Sequence, residues 1–520
     1  MGLVSLRTLR RARNLEGYSL PNLITRIDLR TANAAALWLL GMFVALLFAY
    51  NFAAGERMQV NDGLGWDGLQ YAQFTWTPTP ELLFKWPSYY VGRFLPPIAI
   101  HNVAELLNID ISTPRRMIAA YYVVNTLVLC LAFLMVLRIS KLAGWSPPAT
   151  LVAVASIFFN YGVLKQVNYG PMSTDIMALG CAVATLYAWV GRSFYSFIVI
   201  TIVSAFVWPS LLYLQLPLLV FWNVGGIALE SPPPRFPWGR IAAAVIAAGT
   251  VAVALLLYLF TDFRLTIRTN PVNDHLLWLS APLLAGFIYF GLNRFTDPFY
   301  YLRAARFVRW QNVVIALAIY VGVQLVVRYL SNGGVGPLNP VQYIGLIGQA
   351  GLVNPLVSLI SHAQFYGPIV PFALLCWSRV QAGVLAAGPG MACIFALSVY
   401  LAIGTESRQD LPFLPLLAFF VVNVLDRLSV DWFTAWCFTG MALAVSKFWL
   451  TINVAPWTGD FLKFPDQMLF MNHGPWMSNQ MYVVFVAVFL LMMIAAAALL
   501  RALGQRRYDV PDPAGVSATR

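Results

Sequence analysis

The stretch of the sequence best suited to chemistry is residues 61–71, which holds two aspartates among three glycines. Asp62 and Asp67 lie five residues apart, and the glycines at 63, 65 and 68 allow sharp turns and the close approach of a substrate. A carboxylate can take a proton from a sugar hydroxyl, so each aspartate is a candidate general base. Asn, Asp and Gly are also the ordinary residues of turns, and a turn without catalytic function is the alternative.

A second candidate stretch, residues 86–97, is rich in aromatic residues and contains one arginine, Arg93. Aromatic rings beside an arginine can stack on a sugar while the guanidinium binds a phosphate. The same composition is typical of the aromatic belt at a membrane interface, where an arginine extends its charged end into water. The sequence leaves both interpretations open.

Charged and amide side chains also crowd residues 406–410, between two apolar segments. Glu406, Arg408 and Asp410 fall within five positions, together with Gln409. Charges beside a membrane are costly and commonly functional, although an ion pair between Glu406 and Arg408 in a short turn would also account for them.

Residues 165–175 form a fourth polar stretch. Asp175 follows Ser173 and Thr174, so it is expected to begin a helix, where a carboxylate interacts favourably with the helix dipole. Lys165 is the residue of this stretch that we expect to contact a phosphate group. The histidines lack the HExxH or HxH spacing of a zinc site and the cysteines lack CxxC spacing, so neither a metal site nor a cofactor is predicted.

The elements that must position these residues are apolar helices. The chain has 520 residues, of which 60% are hydrophobic and 10% charged, whereas soluble domains average about 25% charged residues. Apolar segments of about 20 residues recur to the end of the chain, which predicts an all-α polytopic transmembrane bundle. The net charge of +12 does not indicate nucleic-acid binding, because the basic residues cluster at the ends of the apolar segments.

Hydropathy predicts about 14 spans and three regions of the chain. Residues 1–33 form a basic cytoplasmic segment, residues 34–502 form the bundle, and residues 503–520 form a cytoplasmic tail. The first outer loop, residues 55–116, is predicted to contain short interfacial helices near Pro80 and Pro97. The Trp208-Pro209 step divides a long apolar run, and either a tight hairpin or a kinked helix fits it. Apolar residues 341–360 suggest a re-entrant or interfacial segment.

Charge placement predicts the orientation. With the N-terminus in the cytoplasm and a hairpin at Trp208-Pro209, every predicted inner loop carries arginine or lysine. The predicted outer side then holds all four histidines and most of the candidate acids and bases. That side is therefore the expected face of function.

Two motifs on this face resemble those of bacterial membrane glycosyltransferases of the GT-C superfamily. The motifs are Trp66-Asp67-Gly68-x-x-Tyr71 and Tyr90-x-x-Arg93-x-x-Pro96, and the run Glu406-x-Arg408-x-x-x-Pro412-x-x-Pro415 is similar to one in lumenal mannosyltransferases of the superfamily. Departures are Trp66 where tyrosine is commoner, and Gly404 and Thr405 where those mannosyltransferases have His-Lys. The resemblance is to the superfamily and does not specify the sugar.

The resemblance implies an inverting glycosyltransferase on the outer face of the bacterial inner membrane. The expected donor is a sugar on a polyprenyl phosphate, and the expected acceptor is an envelope glycan, a lipid or a protein. Asp67 would be the base, with Asp62 as the alternate, and Arg93 or Arg408 would neutralise the departing phosphate. Glu406 would orient the arginine or bind a sugar hydroxyl. The remaining candidate substrate contacts are Trp66, Gln70, Tyr71 and Tyr90.

Two other functions fit the composition. A transporter or flippase for lipid-linked glycans would carry ionisable residues near the middle of its spans and paired broken helices, and most predicted spans here lack central charges. A non-catalytic scaffold for envelope glycan assembly would tolerate substitution of both Asp62 and Asp67.

Overall fold

The computed structural model describes residues 40–224, 237–261, 272–332, 340–451 and 477–509. The chain divides into two compact units at the Ala54–Gly55 bond. In the first unit the described residues form one helix, α1 (Leu40–Ala54). All elements below belong to the second unit. The described residues contain helices and turns and no β-strand, which confirms the predicted all-α class. The predicted N-terminal segment, residues 1–33, lies outside them.

The predicted first outer loop is largely helical. It contains a 3-10 turn (Val60–Gly63), α2 (Trp66–Trp76), α3 (Pro80–Leu83), α4 (Ser88–Val91) and α5 (Leu95–Leu106). Helices near Pro80 and Pro97 are confirmed. The treatment of residues 66–71 as loop is wrong, because α2 begins at Trp66. Residues 69–76 contain neither glycine nor proline, so the helix continues once the glycine-rich turn is passed.

The next part of the unit is built around a 30-residue helix. The helices are α6 (Pro114–Ala143), α7 (Pro147–Phe158), α8 (Tyr161–Leu164), α9 (Gln166–Tyr169) and α10 (Asp175–Val190). The chain bends by 55° between α7 and the segment that contains α8 and α9. α10 packs along α6, which places its first residue, Asp175, beside the outer-loop helices.

Several helices begin with a hydroxyl residue followed by proline. Thr79-Pro80 begins α3, Thr113-Pro114 begins α6 and Ser146-Pro147 begins α7, and in each pair the hydroxyl accepts a hydrogen bond from a backbone N–H of the first turn. The proline has a fixed φ suited to the first helical position, where a missing N–H costs nothing. These local sequences therefore fix where the helices start.

The predicted break at Trp208-Pro209 is a hairpin. α11 (Phe194–Ala205) and α12 (Pro209–Val220) are separate helices that pack against each other. Each has 12 residues, or about 18 Å of helix. That length is less than the roughly 30 Å hydrocarbon core of a bilayer.

The remaining helices complete the bundle. They are α13 (Trp238–Phe260), α14 (Leu277–Leu292), α15 (Pro298–Ala305), α16 (Trp310–Leu330), α17 (Pro340–Leu352), α18 (Val357–Tyr366), α19 (Ile369–Leu375), α20 (Trp377–Ala387), α21 (Pro389–Leu401), α22 (Leu414–Arg427), α23 (Trp432–Val445) and α24 (Asn479–Asp509). A 3-10 segment, Ser407–Phe413, precedes α22. The chain bends by 80° between α17 and α18 and by 86° between α19 and α20. The first of these bends interrupts the apolar stretch predicted to be re-entrant or interfacial.

The helices are those of a membrane protein in length and apolar composition. Six described segments are long and apolar enough to cross a bilayer, and up to nine if each bent pair counts as one span. Most helices start within a few residues of the predicted spans, although residues 357–401 divide into four short helices instead of two spans. The total of about 14 spans stays a prediction, because it requires the shorter helices to be counted.

The packing of distant segments creates the site. The 3-10 segment Ser407–Phe413 contacts α10, α18 and α22, and α16 contacts α4. Residues far apart in the sequence, such as Asp67 and Arg408, are thereby brought together.

Candidate functional site

The second unit contains a large cavity with a volume of about 1210 Å3. One wall is polar, and is formed by the start of α2, by α4 and the residues after it, and by residues 404–410. Apolar side chains also line the cavity, among them Val323 and Val327 of α16 and Leu346 and Ile347 of α17. A cavity lined by both charged and apolar side chains suits an amphiphilic ligand, and its volume exceeds that of a typical small-molecule pocket of about 300–1,000 Å3.

The glycine-rich turn aims Asp67 into this cavity. Gly65 has φ of +80°, a conformation that favours glycine, and its carbonyl accepts a hydrogen bond of 2.8 Å from the Asn61 side chain. Gly68 meets a different need, because a Cβ there would lie 2.7 Å from the Met172 Cβ. Asp67 falls in the first turn of α2, where the helix dipole favours a negative charge.

The Asp67 carboxylate is held by two tyrosines and faces an arginine. The Tyr89 hydroxyl donates to Oδ2 at 3.1 Å, and the Tyr90 hydroxyl donates to Oδ1 at 3.2 Å. Nη2 of Arg408 lies 3.9 Å from Oδ2. The Asp67 side chain remains 28% exposed, and an ionised carboxylate offers about four acceptor positions. It therefore retains capacity for a ligand hydroxyl.

Arg93 is buried behind these tyrosines. Its Nη1 donates to the Tyr89 hydroxyl at 3.0 Å and to the Tyr71 hydroxyl at 3.3 Å. The guanidinium carbon lies 4.3 Å from the centre of the Tyr89 ring and 3.9 Å from that of Trp208. Two aromatic contacts and two hydrogen bonds fix the group, so Arg93 orients Tyr89 and through it Asp67.

The tyrosine hydroxyls of this cluster stay protonated at neutral pH. Removal from water and the adjacent Asp67 carboxylate raise the pKa of Tyr90 to about 12. Burial likewise raises the pKa of Tyr71, against an opposing effect of Arg93. A protonated hydroxyl is a donor, so Tyr90 can donate its hydrogen bond to Asp67 across the physiological range.

The second charged cluster includes Arg408 and Glu406, which form the ion pair that the sequence offered as one alternative. Nε of Arg408 lies 2.6 Å from Oε1 of Glu406, and the Gln409 amide donates to the other oxygen. The Arg408 side chain is 35% exposed and lines the cavity. Its Nε contacts Glu406 and its Nη2 faces Asp67, so Arg408 joins the two polar segments of the wall.

His362 lies below this loop and is buried in α18, although the sequence places it in an outer loop. Its Nε2 lies 2.7 Å from the Ala402 carbonyl oxygen and its Nδ1 lies 2.9 Å from the Ser407 hydroxyl. A carbonyl only accepts, so Nε2 carries the hydrogen of the neutral ring and Nδ1 accepts from Ser407. The Tyr366 hydroxyl donates to the Ser407 carbonyl. These contacts fix the backbone that carries Arg408 and Asp410.

Four of the other sequence candidates lie away from the cavity or behind its wall. Lys165 is buried, and its Nζ contacts the Glu56 carboxylate at 2.7 Å and the Leu450 carbonyl at 2.6 Å. Asp62 is exposed on the 3-10 turn, and the Gln70 amide oxygen is buried without a partner among the described residues. The ring of Tyr71 is buried in the core.

Asp175 begins α10 as predicted and is fully buried. Its Oδ2 accepts a hydrogen bond of 2.6 Å from the Gln166 amide, and its Oδ1 has no partner among the described residues. Thr174 occupies the cap position without a side-chain cap bond. Asp175 therefore has a hydrogen bond from Gln166 in addition to its place at the start of the helix, and the sequence did not indicate that bond.

The structure thus brings Trp66, Asp67, Arg93, Glu406 and Arg408 to one cavity. Sequence reasoning missed the roles of Tyr89, Trp208 and Asp410, which line it too. For Tyr89 the sequence contains a signal, because Tyr89 and Arg93 are four residues apart, a spacing at which side chains on a helix meet. For Trp208 the sequence indicates only the Trp208-Pro209 break, and for Asp410 only the charge density of residues 406–410.

The part of the chain that the structure describes contains no cluster of three or more metal-ligating side chains. No protein-family model, no curated protein and no solved structure matches this chain.

Proposed function

We propose that this protein is an inverting membrane glycosyltransferase that moves a sugar from a polyprenyl-phosphate carrier to a hydroxyl of an envelope glycan, lipid or protein. The reaction would take place on the outer face of the bacterial inner membrane. The proposal rests on one observation above all: Asp67, Arg93 and Arg408 line a single cavity that apolar side chains line as well. A lipid-linked sugar phosphate needs an apolar surface, a cation and a base in the same place.

The chemical step is a single displacement. The acceptor hydroxyl gives its proton to the Asp67 carboxylate as its oxygen attacks the anomeric carbon. The bond between that carbon and the phosphate oxygen breaks, and the lipid phosphate leaves with the electron pair. Attack opposite the leaving group inverts the anomeric configuration.

The two arginines have different roles in this proposal. Arg408 is the more exposed, and it stabilises the negative charge that grows on the departing phosphate. Arg93 already donates to Tyr71 and Tyr89, so it positions the tyrosines that hold Asp67. Glu406 orients Arg408 through their 2.6 Å contact. Lys165 is not assigned a phosphate contact, because it binds Glu56 outside the cavity.

The test compares Asp67→Asn with Asp62→Asn, a matched control five residues earlier that does not line the cavity. Transfer is measured with purified protein and a series of citronellyl-phosphate sugars as donors, with extracted envelope glycolipids as acceptors. Loss of a general base is expected to lower kcat about 10²- to 10⁴-fold in Asp67→Asn, while Asp62→Asn retains native activity. Full activity in Asp67→Asn would refute the assignment of the base, and loss confined to Asp62→Asn would transfer that role.

Transport of a lipid-linked glycan is the second candidate, and the three bent helix pairs favour it. Broken helices form the substrate sites of many transporters. The test places native protein in liposomes with a fluorescent lipid-linked sugar. Translocation of that sugar without transfer to any acceptor would support transport over glycosyl transfer.

A further inference from the structure

Asp410 is a buried acidic side chain that lines the cavity and that the mechanism above does not use. It lies in the 3-10 segment Ser407–Phe413, and its side chain is only 9% exposed. None of the described residues gives it a hydrogen bond. The nearest cationic candidate is His362, whose Nε2 is 4.0 Å from Oδ2.

His362 does not satisfy Asp410. The one hydrogen on Nε2 already has an acceptor at 2.7 Å, the Ala402 carbonyl. A 4.0 Å separation is too long for a hydrogen bond in any case. Asp410 is therefore a carboxylate in a low-dielectric wall with its acceptor capacity directed to the cavity.

A carboxylate at this position gains from a partner in the cavity. Burying a carboxylate without hydrogen bonds is costly, and native proteins almost always pair such groups. Asp410 lines the cavity and keeps 9% of its side chain exposed, so a ligand in the cavity can reach it.

The chemistry of the carboxylate indicates what the partner is. A carboxylate can accept hydrogen bonds from two adjacent hydroxyls of one ligand. The described residues do not supply the further carboxylates that a divalent cation would require. A phosphate would be repelled by Asp410, and Arg408 is the group of this loop that suits it.

We propose that Asp410 forms a sugar-binding subsite that holds hydroxyls of the transferred sugar. This inference rests on the proposed function for the identity of the ligand, and it makes Asp410 a specificity residue of the same cavity. The subsite selects the sugar, whereas Arg408 recognises the phosphate of every donor.

Binding measurements separate these contributions. The affinity of purified protein is measured for a citronellyl-phosphate hexose and for citronellyl phosphate alone. Native protein should bind the probe with the preferred sugar more tightly, and Asp410→Asn should reduce that difference by about ten- to a hundredfold, as expected for hydrogen bonds to a charged group. Affinity for citronellyl phosphate should be unchanged. The control Glu105→Gln, at an exposed carboxylate outside the cavity, should behave as native.

Stability gives an independent readout. An unsatisfied buried carboxylate destabilises the free protein, so Asp410→Asn should unfold at the native temperature or above it. A lower unfolding temperature, or failure to fold, would show that Asp410 is satisfied within the protein and would overturn the proposal. Two further outcomes would also overturn it: equal sugar discrimination in Asp410→Asn, and a loss confined to kcat, which would make Asp410 a base.

The result is distinguishable from a failure of the proposed function. Native protein that discriminates between the two probes but catalyses no transfer would leave the subsite intact and would refute the transferase. Transfer that proceeds equally well in Asp410→Asn with every sugar would refute the subsite alone.

Discussion

The substitution Arg93→Lys tests whether the planar guanidinium, and not only its charge, organises the site. Arg93 contacts two rings, at 4.3 and 3.9 Å, and donates to two tyrosine hydroxyls. A lysine ammonium is a compact and strongly hydrated charge, so it cannot reproduce this set of planar contacts. The substitution removes one desolvated aromatic contact, which contributes about 1–2 kcal/mol. It also removes one charged hydrogen bond, which contributes about 1.5–3 kcal/mol. Arg93→Lys should therefore lower the free energy of unfolding by roughly 2–5 kcal/mol.

The measurement is unfolding by sodium dodecyl sulfate in mixed micelles, followed by tryptophan fluorescence. Arg115→Lys is the matched control, because Arg115 is an exposed arginine of the same chain, and it should be neutral. In the transfer assay Arg93→Lys should lower kcat with little change in KM, since Arg93 positions Asp67 through Tyr89. Unfolding at the native midpoint together with native kcat would refute the assigned role.

A double-mutant cycle with Tyr89→Phe tests the route from Arg93 to Asp67. That substitution removes both the hydroxyl that Arg93 contacts and the hydrogen bond to Asp67. If the two act as one unit, the effects of Arg93→Lys and Tyr89→Phe on kcat should be less than additive. Additive effects would mean that Arg93 acts on the reaction by another route.

Two further predictions follow from the geometry around Asp67. Gly68→Ala places a Cβ 2.7 Å from the Met172 Cβ, so it should lower the free energy of unfolding by about 1–3 kcal/mol. The control Gly249→Ala, in an open helical position, should be neutral or stabilising. Equal unfolding midpoints for the two variants would contradict the close approach at Gly68. The pKa of Tyr90 is raised from 10.0 to about 12, so its contribution to stability is complete below pH 10 and is lost as the pH rises through 12. The difference in unfolding midpoint between native protein and Tyr90→Phe should therefore shrink between pH 10 and 12, and a constant difference would show that Tyr90 is not perturbed.

The sequence predicted where most helices begin but not where the chain bends between them. Apolar segments predicted most helix beginnings to within a few residues, and prolines predicted the helices near Pro80 and Pro97. They did not predict the bends of 55°, 80° and 86°. Hydropathy depends only on how many apolar residues follow one another. A bent helix pair and a straight span of the same composition therefore have the same hydropathy. The prediction of about 14 spans depends on that missing information.

At the site, the candidates that the structure brings together came from motifs with charged or aromatic residues at short spacing. Lys165 illustrates the limit of that approach, because its charge made it a candidate while its partner Glu56 precedes it by more than a hundred positions. Asp410 illustrates the opposite case. Its loop was identified, but only the positions of His362 and Ala402 show that this carboxylate lacks a hydrogen bond within the described residues.

By itself the sequence determined the helical class, the membrane character, the glycine-rich turn before α2 and the chemical types of Asp67, Arg93 and Arg408. These properties are local or additive, because they depend on composition, spacing and backbone preference. Only the tertiary structure decided that Arg408 of the Ser407–Phe413 segment meets Asp67 of α2, and that Arg93 is stacked while Lys165 is paired elsewhere. It also decided that Asp410 lines the cavity without a hydrogen bond from the described residues. Such contacts join residues far apart in the chain, and their existence depends on how all the helices pack at once.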